Sequence, residues 1–200
     1  MEEEKLEGEN QYYCENCDGK KDALIGQGFT SFPYILTLHL RRFDFDFINM
    51  ERVKLNDEVS FPEILDMNPF IYGSPLNISE QEDNEEFGDE EKRMEKIELY
   101  LDHGPYVYEL FSVLIHSGTA HGGHYYGYVK SFNTHKWYCF NDSSVTSFDP
   151  KKIPSSFGNG EKGSGSNAYM LMYRQYDPSR NIIEPSIASI PEEVFFFCIG

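Results

Sequence analysis

The segment from Tyr34 to Phe47 constrains the fold most, because its apolar residues alternate with the period of two that a half-buried β-strand requires. Two apolar sets occupy opposite parities: Leu36, Leu38 and Leu40, then Phe43, Phe45 and Phe47. A shift of one residue sends every following side chain to the other face of a sheet. We therefore expect a long strand with a bulge or a sharp bend at Arg41 and Arg42.

Most other structured segments also have the composition of strands. The predicted strands are Gln11 to Lys20 (ending in a tight knuckle), Gly26 to Phe32, Met50 to Phe61, Tyr106 to Ser117, Gly123 to Phe132, Lys136 to Phe140 and Asn167 to Tyr176. Tyr106 to Ser117 is apolar on both parities, which predicts a central strand covered on both faces. Helical turns are expected at Asp149 to Ser156 and within Glu90 to Ile97. The sequence thus predicts an α+β fold that is mainly antiparallel β.

Acidic residues are concentrated in two segments. The 200 residues carry a formal net charge of −17, of which Glu2 to Glu9 contributes −4 and Glu80 to Glu91 contributes −8. We interpret residues 1–10 as a flexible acidic start, 11–176 as the folded part with an acidic insertion at about 73–98, and 177–200 as a tail of uncertain structure. The excess of acidic residues argues against nucleic acid as a partner, since phosphate contacts need Lys and Arg.

Nothing in the sequence predicts membrane insertion or secretion. No apolar run reaches 18 residues, so we expect no transmembrane helix and no membrane partner. The first ten residues, MEEEKLEGEN, lack the apolar core of a signal peptide. We therefore expect a cytoplasmic location, with the nucleus as an additional one.

A histidine that follows two glycines is the main candidate for chemistry. His124 comes directly after Gly122 and Gly123 and begins the first strand of a predicted hairpin. If the hairpin turn is centred near Phe132 and Asn133, the antiparallel register places His124 beside Asn141. An imidazole next to an amide or to the carboxylate of Asp142 is the pairing of a general base with the group that orients it.

Two other interpretations of this histidine stay open. Most histidines in proteins are structural, and His124 could simply end a strand. His116 and His121 lie near it in the sequence, so three histidines could also bind a metal ion, although no carboxylate or cysteine sits at ligand spacing with them.

Three motifs, in order along the chain, carry a resemblance to a known family. They are YYCENCDGKKDA, FPYILTLHLRRFDFD with VKLNDEVSFPEILDM, and HSGTAHGGHYYGYVKSF with WYCFNDSSV and NAYMLMY. They resemble the fingers, the palm strands and the histidine box of the ubiquitin-specific proteases, and together they span about residues 11–176. The resemblance implies a papain-like catalytic domain, of which this chain holds the palm and part of the fingers without the N-terminal thumb.

The resemblance also implies a function and its residues. A ubiquitin-specific protease hydrolyses peptide and isopeptide bonds after the C-terminal glycine of ubiquitin, so the implied partners are ubiquitin and ubiquitinated proteins. His124 would be the catalytic base, and Asn141 or Asp142 would orient it. The residues expected along the path of the substrate tail are Gly122, Gly123 and Tyr125. The family's nucleophile lies in an N-terminal cysteine box that this sequence does not show, so the alternative is an inactive ubiquitin-binding or scaffold protein.

None of the four cysteines lies in a sequence that resembles the family's cysteine box. Cys139 occupies an alternating position in a predicted strand, so we interpret it as a packing residue. Cys198 lies in the tail. Cys14 and Cys17 form a C-x-x-C with Gly19 just after it, which is typical of a zinc knuckle but provides only two of four ligands. The resemblance places the other pair outside this chain; a redox pair or two idle thiols are the alternatives. We expect no cofactor for catalysis and a structural zinc in the intact domain.

Overall fold

The computed structural model describes residues 4–74, 87–160 and 165–181, and the account below concerns these residues. Their strands are β1 (Glu4–Leu6), β2 (Tyr12–Cys14), β3 (Gly19–Lys21), β4 (Ala23–Ile25), β5 (Ile35–His39), β6 (Phe43–Asp46), β7 (Glu51–Lys54), β8 (Ile64–Asp66), β9 (Val107–Thr119), β10 (Gly122–Lys130), β11 (Trp137–Asn141), β12 (Ser144–Phe148) and β13 (Gly165–Gln175). Their α-helices are α1 (Glu90–Leu101) and α2 (Pro178–Asn181), and 3-10 helices occur at Gly8–Asn10, Asn68–Phe70 and Pro150–Ser156. No helix among them is long and apolar enough to cross a bilayer.

One antiparallel sheet with β9 near its centre dominates the structure. The strand order is β12-β11-β10-β9-β13-β5, and β8 pairs with the start of β9. Val107, Tyr108, Leu110, Val113 and Ile115 of β9 are almost fully buried, as expected of a strand that is apolar on both parities. The predicted fold class, mainly antiparallel β with few helices, is confirmed.

The predicted break at Arg41 and Arg42 is confirmed, since β5 ends at His39 and β6 begins at Phe43. The break turns Arg42 inward, where its guanidinium donates hydrogen bonds to three backbone carbonyl oxygens. The acceptors are Ala168 at 2.9 Å, Asp57 at 2.5 Å and Phe157 at 2.8 Å. A buried arginine needs such partners because an unpaired buried charge is costly. The bend thus attaches the β6–β7 hairpin to the sheet.

Some strand predictions were wrong. Gly26 to Phe32 is not a strand: β4 ends at Ile25, and Phe29 makes a single parallel bridge with Ile71. The backbone there approaches a side chain so closely that a Cβ on Gly28 would lie 2.9 Å from Cβ of Tyr72. The strand predicted over Met50 to Phe61 is shorter and consists of β7 alone, Glu51–Lys54.

For the remaining elements, one strand was missed and two helical turns were predicted correctly. The polar strand β12 was not predicted. The helical turns predicted at 149–156 and 90–97 are present, and α1 continues to Leu101. Within the acidic start, β1 pairs with β4. The predictions for residues 75–86 of the acidic insertion and for the tail at 182–200 lie outside the described residues.

A buried ionic cluster attaches α1 to the sheet. The helix begins after Asp89, whose carboxylate accepts from the backbone N–H groups of Glu91 and Lys92. Arg93 Nη1 donates to Glu109 Oε1 of β9 at 3.0 Å. The same oxygen accepts from Lys130 Nζ of β10 at 2.5 Å. Arg93 and Lys130 therefore share one carboxylate oxygen of Glu109 as their partner.

Glu63 completes this cluster from the loop before β8. Its second oxygen accepts from the backbone N–H of Gly88 at 3.0 Å, and its first oxygen lies 3.8 Å from Lys130 Nζ. Burial raises the pKa of Glu63. The helix of the acidic insertion is thus fixed to the sheet by buried charges as well as by the apolar contact of Ile97.

Replacing Arg93 with Met should lower the free energy of unfolding by about 3 kcal/mol, because the change removes one partner of a buried ion pair. Urea denaturation followed by circular dichroism measures this loss. Arg41→Met is the matched control: Arg41 makes an exposed ion pair with Asp44 at 2.7 Å. Such a pair is worth about 1 kcal/mol at most. Equal losses for the two variants would contradict the anchoring role of Arg93.

Candidate active site

The β10–β11 hairpin carries the candidate residues, and its register differs from the predicted one. Gly127 pairs with Phe140 and Lys130 pairs with Trp137, so the turn is centred between Asn133 and Thr134. The predicted centre near Phe132 and Asn133 was therefore wrong by one residue. The turn closes through a hydrogen bond from the N–H of Ser131 to the carbonyl of Lys136, and it includes a residue with positive φ, His135. Neither this hydrogen bond nor the positive φ of His135 could be predicted from the sequence.

His124 contacts Asn141 in spite of this shift. Continuing the register places Asn141 level with Tyr126, two residues beyond His124. A displacement of two keeps both side chains on one face, where diagonal neighbours in a sheet are within reach of each other. His124 Nε2 lies 2.5 Å from Asn141 Oδ1. The predicted proximity of the two side chains is confirmed, and their catalytic role stays a prediction.

The contact fixes which ring nitrogen of His124 carries the proton. An amide oxygen only accepts hydrogen bonds, so Nε2 of the neutral ring donates and Nδ1 keeps its lone pair. Asp142 is further away, with Oδ2 at 3.9 Å from Nε2. It follows the end of β11 with φ of 50°, and 80% of its side chain is exposed. Asn141 therefore makes the hydrogen bond to the ring, and Asp142 lies at its edge.

Three glycines shape the backbone next to His124. Gly118 has φ of 134°, a conformation that favours glycine, and it pairs with Gly123 across β9 and β10. A Cβ on Gly123 would lie 2.3 Å from His116 Nε2 and 2.5 Å from the carbonyl oxygen of Ser117. A Cβ on Gly122 would meet no atom within 4 Å. Gly123 is thus required by packing, whereas Gly122 presents an open, narrow surface.

His116 is a buried packing residue beneath this turn. It is 3% exposed, and its ring lies 5.1 Å from the ring of Phe43 and 4.7 Å from that of Tyr125, centroid to centroid. Its Nδ1 has no hydrogen-bond partner among the described residues. Burial, together with the charge of Lys54, lowers the pKa of His116.

Two other candidate residues are placed differently: Tyr125 lies within β10, and His121 lies in the turn before it. Tyr125 is half exposed and contacts the rings of His116 and Tyr169, on the face opposite to that of His124. His121 is exposed, and its N–H donates to Thr119 Oγ1 at 3.2 Å. No group of three potential metal ligands occurs among residues 4–74, 87–160 and 165–181.

The described cysteines lie away from His124. Cys14 and Cys17 flank the turn between β2 and β3, and the hydrogen bond from Cys17 lowers the pKa of the Cys14 thiol. Cys139 pairs with Tyr128, four residues along β10 from His124, which corresponds to about 13 Å. Burial raises the pKa of the Cys139 thiol. Cys14 and Cys17 can provide two thiolates to a zinc ion, and the described residues around them provide no third ligand.

A histidine held by an amide at the end of a glycine-flanked hairpin matches the histidine box identified in the sequence. The sequence model of one family, ubiquitin carboxyl-terminal hydrolase, matches residues 5–173. The chain belongs to the ubiquitin carboxyl-terminal hydrolase family. The family predicted from the three motifs is confirmed.

Curated relatives from several organisms support this membership. Ubiquitin carboxyl-terminal hydrolase 47 of Drosophila melanogaster is 40% identical over 242 residues, which cover 97% of this chain and 16% of the relative. The Homo sapiens protein of the same name is 40% identical over 232 residues, covering 97% and 17%. Ubiquitin carboxyl-terminal hydrolase 15 of Saccharomyces cerevisiae is 32% identical over 214 residues, covering 97% and 16%. The chain therefore spans about one sixth of the length of these ubiquitin carboxyl-terminal hydrolases.

One residue of the site was missed in the sequence. Lys54 Nζ donates hydrogen bonds to the carbonyl oxygens of His116, Gly118 and Gly165, next to the glycine turn. The only signal was its position between Val53 and Leu55, because a lysine between two apolar residues at the end of a strand is unusual on a solvated surface. Backbone acceptors leave no trace in the sequence, so its partners could not be predicted.

Gly123→Ala should disrupt the site and lower the melting temperature by several degrees, because its methyl group would overlap His116 and the backbone of Ser117. Gly122→Ala is the matched control and should melt close to the wild type, since that methyl group meets open space. Thermal melts of both variants measure the difference. Similar melting temperatures for the two would contradict the packing of Gly123 on His116.

In the wild type, neutral His124 should populate the Nε2–H tautomer almost alone, because Asn141 accepts from that nitrogen. Nitrogen-15 spectra of histidine-labelled protein distinguish the two ring nitrogens. Asn141→Ala should give a mixture of tautomers, and Asp142→Ala should change the spectrum much less. A larger change in Asp142→Ala than in Asn141→Ala would assign the orienting role to the carboxylate instead.

Proposed function

We propose that this chain provides the histidine half of a thiol-dependent deubiquitinase, which hydrolyses peptide and isopeptide bonds after the C-terminal glycine of ubiquitin. The observation that carries the proposal is the contact of His124 Nε2 with Asn141 Oδ1 at 2.5 Å, at the end of a hairpin whose glycines leave space for a chain. Family membership supports the reaction class. Ubiquitin and ubiquitinated proteins are the proposed partners.

In this function His124 Nδ1 takes the proton of a cysteine thiol. The thiolate attacks the carbonyl carbon of the terminal glycine, and the imidazolium returns the proton to the leaving lysine amine. Water then hydrolyses the thioester, with His124 again accepting a proton. Asn141 holds the ring so that Nδ1 faces the reacting atoms throughout, and Asp142 contributes negative charge at the exposed edge of the site.

The substrate tail passes the glycine turn in this proposal. Gly122 offers a surface without a side chain, and no atom lies within 4 Å of the position where its Cβ would be. A Gly-Gly tail is narrow enough to approach such a backbone. In this proposal Tyr125, half exposed on the opposite face of β10, borders the path at its edge.

The nucleophile comes from outside the described residues. Cys139 lies about 13 Å from His124 along the sheet, and burial raises the pKa of its thiol. Cys14 and Cys17 belong to a separate two-stranded sheet, β2–β3. For the intact domain we propose that these two thiolates bind a structural zinc together with a second cysteine pair. We also propose a cytoplasmic location.

The full protein that carries this chain should hydrolyse a ubiquitin-derived fluorogenic substrate, and His124→Ala should lower kcat/KM by about 1,000-fold, since a general base contributes about 10² to 10⁴. Asn141→Ala should cause a smaller loss. Steady-state kinetics with each variant measure these effects.

The isolated chain is the control for the origin of the nucleophile. Turnover by the chain alone, above that of its His124→Ala variant, would contradict a thiol supplied from outside this chain. Full protein that binds ubiquitin without any turnover would support the non-catalytic alternative and reject the proposed reaction.

A further inference from the structure

Lys54 is a buried cation that binds only backbone oxygens. It ends β7, opposite Phe43, and 8% of it is exposed. Its Nζ donates to the carbonyl oxygens of Gly165 at 2.6 Å, His116 at 2.9 Å and Gly118 at 3.3 Å. An ammonium group has three N–H donors, so all of them are used. None of the described carboxylates forms an ion pair with it.

The three acceptors surround the backbone that faces His124. His116 and Gly118 lie immediately before and after Ser117, and Ser117 is the direct cross-strand partner of His124. The third acceptor, Gly165, pairs with Gly118 from the other side of β9. One ammonium group therefore joins β9 to β13 at the level of His124, near the start of β10.

At this end of the sheet the backbone pairing of β9 with β10 and β13 has little support from side-chain hydrogen bonds other than those of Lys54. Gly118, Gly123 and Gly165 have no side chains to pack, and Gly118 and Gly123 pair directly. The hydroxyl of Ser166 donates to Ser117 Oγ at 2.7 Å, which is the only other side-chain bond between β9 and β13 at this level among the described residues. Glycine backbone is otherwise free to take many conformations.

We propose that Lys54 is a positioning residue for His124: its ammonium group fixes the backbone of residues 116–118, and through that ladder it fixes the first residues of β10. This inference rests on the proposed function of His124. Without the ammonium group the buried carbonyl of His116 and the partly buried carbonyls of Gly118 and Gly165 lose a partner, and the Gly118–Gly123 pair opens. A displacement of about 1 Å at a reacting group can lower a rate by about 100-fold.

A second buried lysine in the same sheet separates positioning from plain stability. Lys130 is also almost fully buried and is on the same strand as His124, six residues away. Its partners are the carboxylates of Glu109 and Glu63, at the far end of the hairpin. Lys130→Met removes a buried ammonium group as Lys54→Met does, but not beside His124.

The test compares these two variants in the isolated chain by nitrogen-15 and carbon-13 spectra of labelled histidine and by thermal melts. Both variants should melt at lower temperature than the wild type. Only Lys54→Met should move the His124 ring resonances and produce a mixture of its tautomers, and only it should speed amide exchange at Gly122 and Gly123. Lys54→Met with unchanged His124 resonances would overturn the proposal, whatever its melting temperature.

A milder pair, Lys54→Gln and Lys130→Gln, keeps a donor at each position and gives the same comparison if a Met variant does not fold. The His124 spectra of the chain do not require turnover, so they test Lys54 even if the proposed reaction fails. In an active full protein, Lys54→Met should lower kcat by about 100-fold with KM within about threefold of the wild type. An unchanged kcat there would also overturn the proposal.

Discussion

Backbone pairing along β9 is the constraint on which the rest of the structure depends. This strand pairs with β8 at its start, with β13 over most of its length and with β10 over its second half. Its register sets the position of each group at the site, because His124 faces Ser117 and Gly123 faces Gly118. A slip of one residue would send His124 to the opposite face. The burial of both faces of β9 makes such a slip costly.

Elements that share few sheet hydrogen bonds with β9 are attached to it, or to its neighbour β13, by buried charges. The β6–β7 hairpin is held through Arg42 and Lys54, both bound to carbonyl oxygens, whereas α1 is held through Arg93 and the carboxylate of Glu109. Burial lowers the pKa of both Arg42 and Lys54, which reflects the cost of desolvating a cation. Hydrogen bonds offset this cost, because all three N–H donors of Lys54 and three of the five of Arg42 have a carbonyl acceptor.

Patterns with a local cause could be predicted from the sequence. The two-sided apolar pattern identified β9, and the change of parity located the break at Arg41 and Arg42. The polar β12 could not be found, since its exposed residues have no periodicity. The bonds of Lys54 and the cluster around Glu63 could not be found either. Carbonyl acceptors are present at every position, and ion pairs between distant segments depend on the tertiary structure alone.

The pairing of His124 with Asn141 was predicted correctly from an incorrect register, and the reason is physical. Side chains along a strand alternate between the two faces of the sheet. An error of two residues in the register therefore leaves His124 and Asn141 on the same face. An error of one would have put Asp142 beside the ring. The two neighbours of the ring therefore differ in their contact with it. The neutral amide oxygen of Asn141 accepts from Nε2 at 2.5 Å and so selects one tautomer, whereas the exposed carboxylate of Asp142 lies 3.9 Å from the same nitrogen.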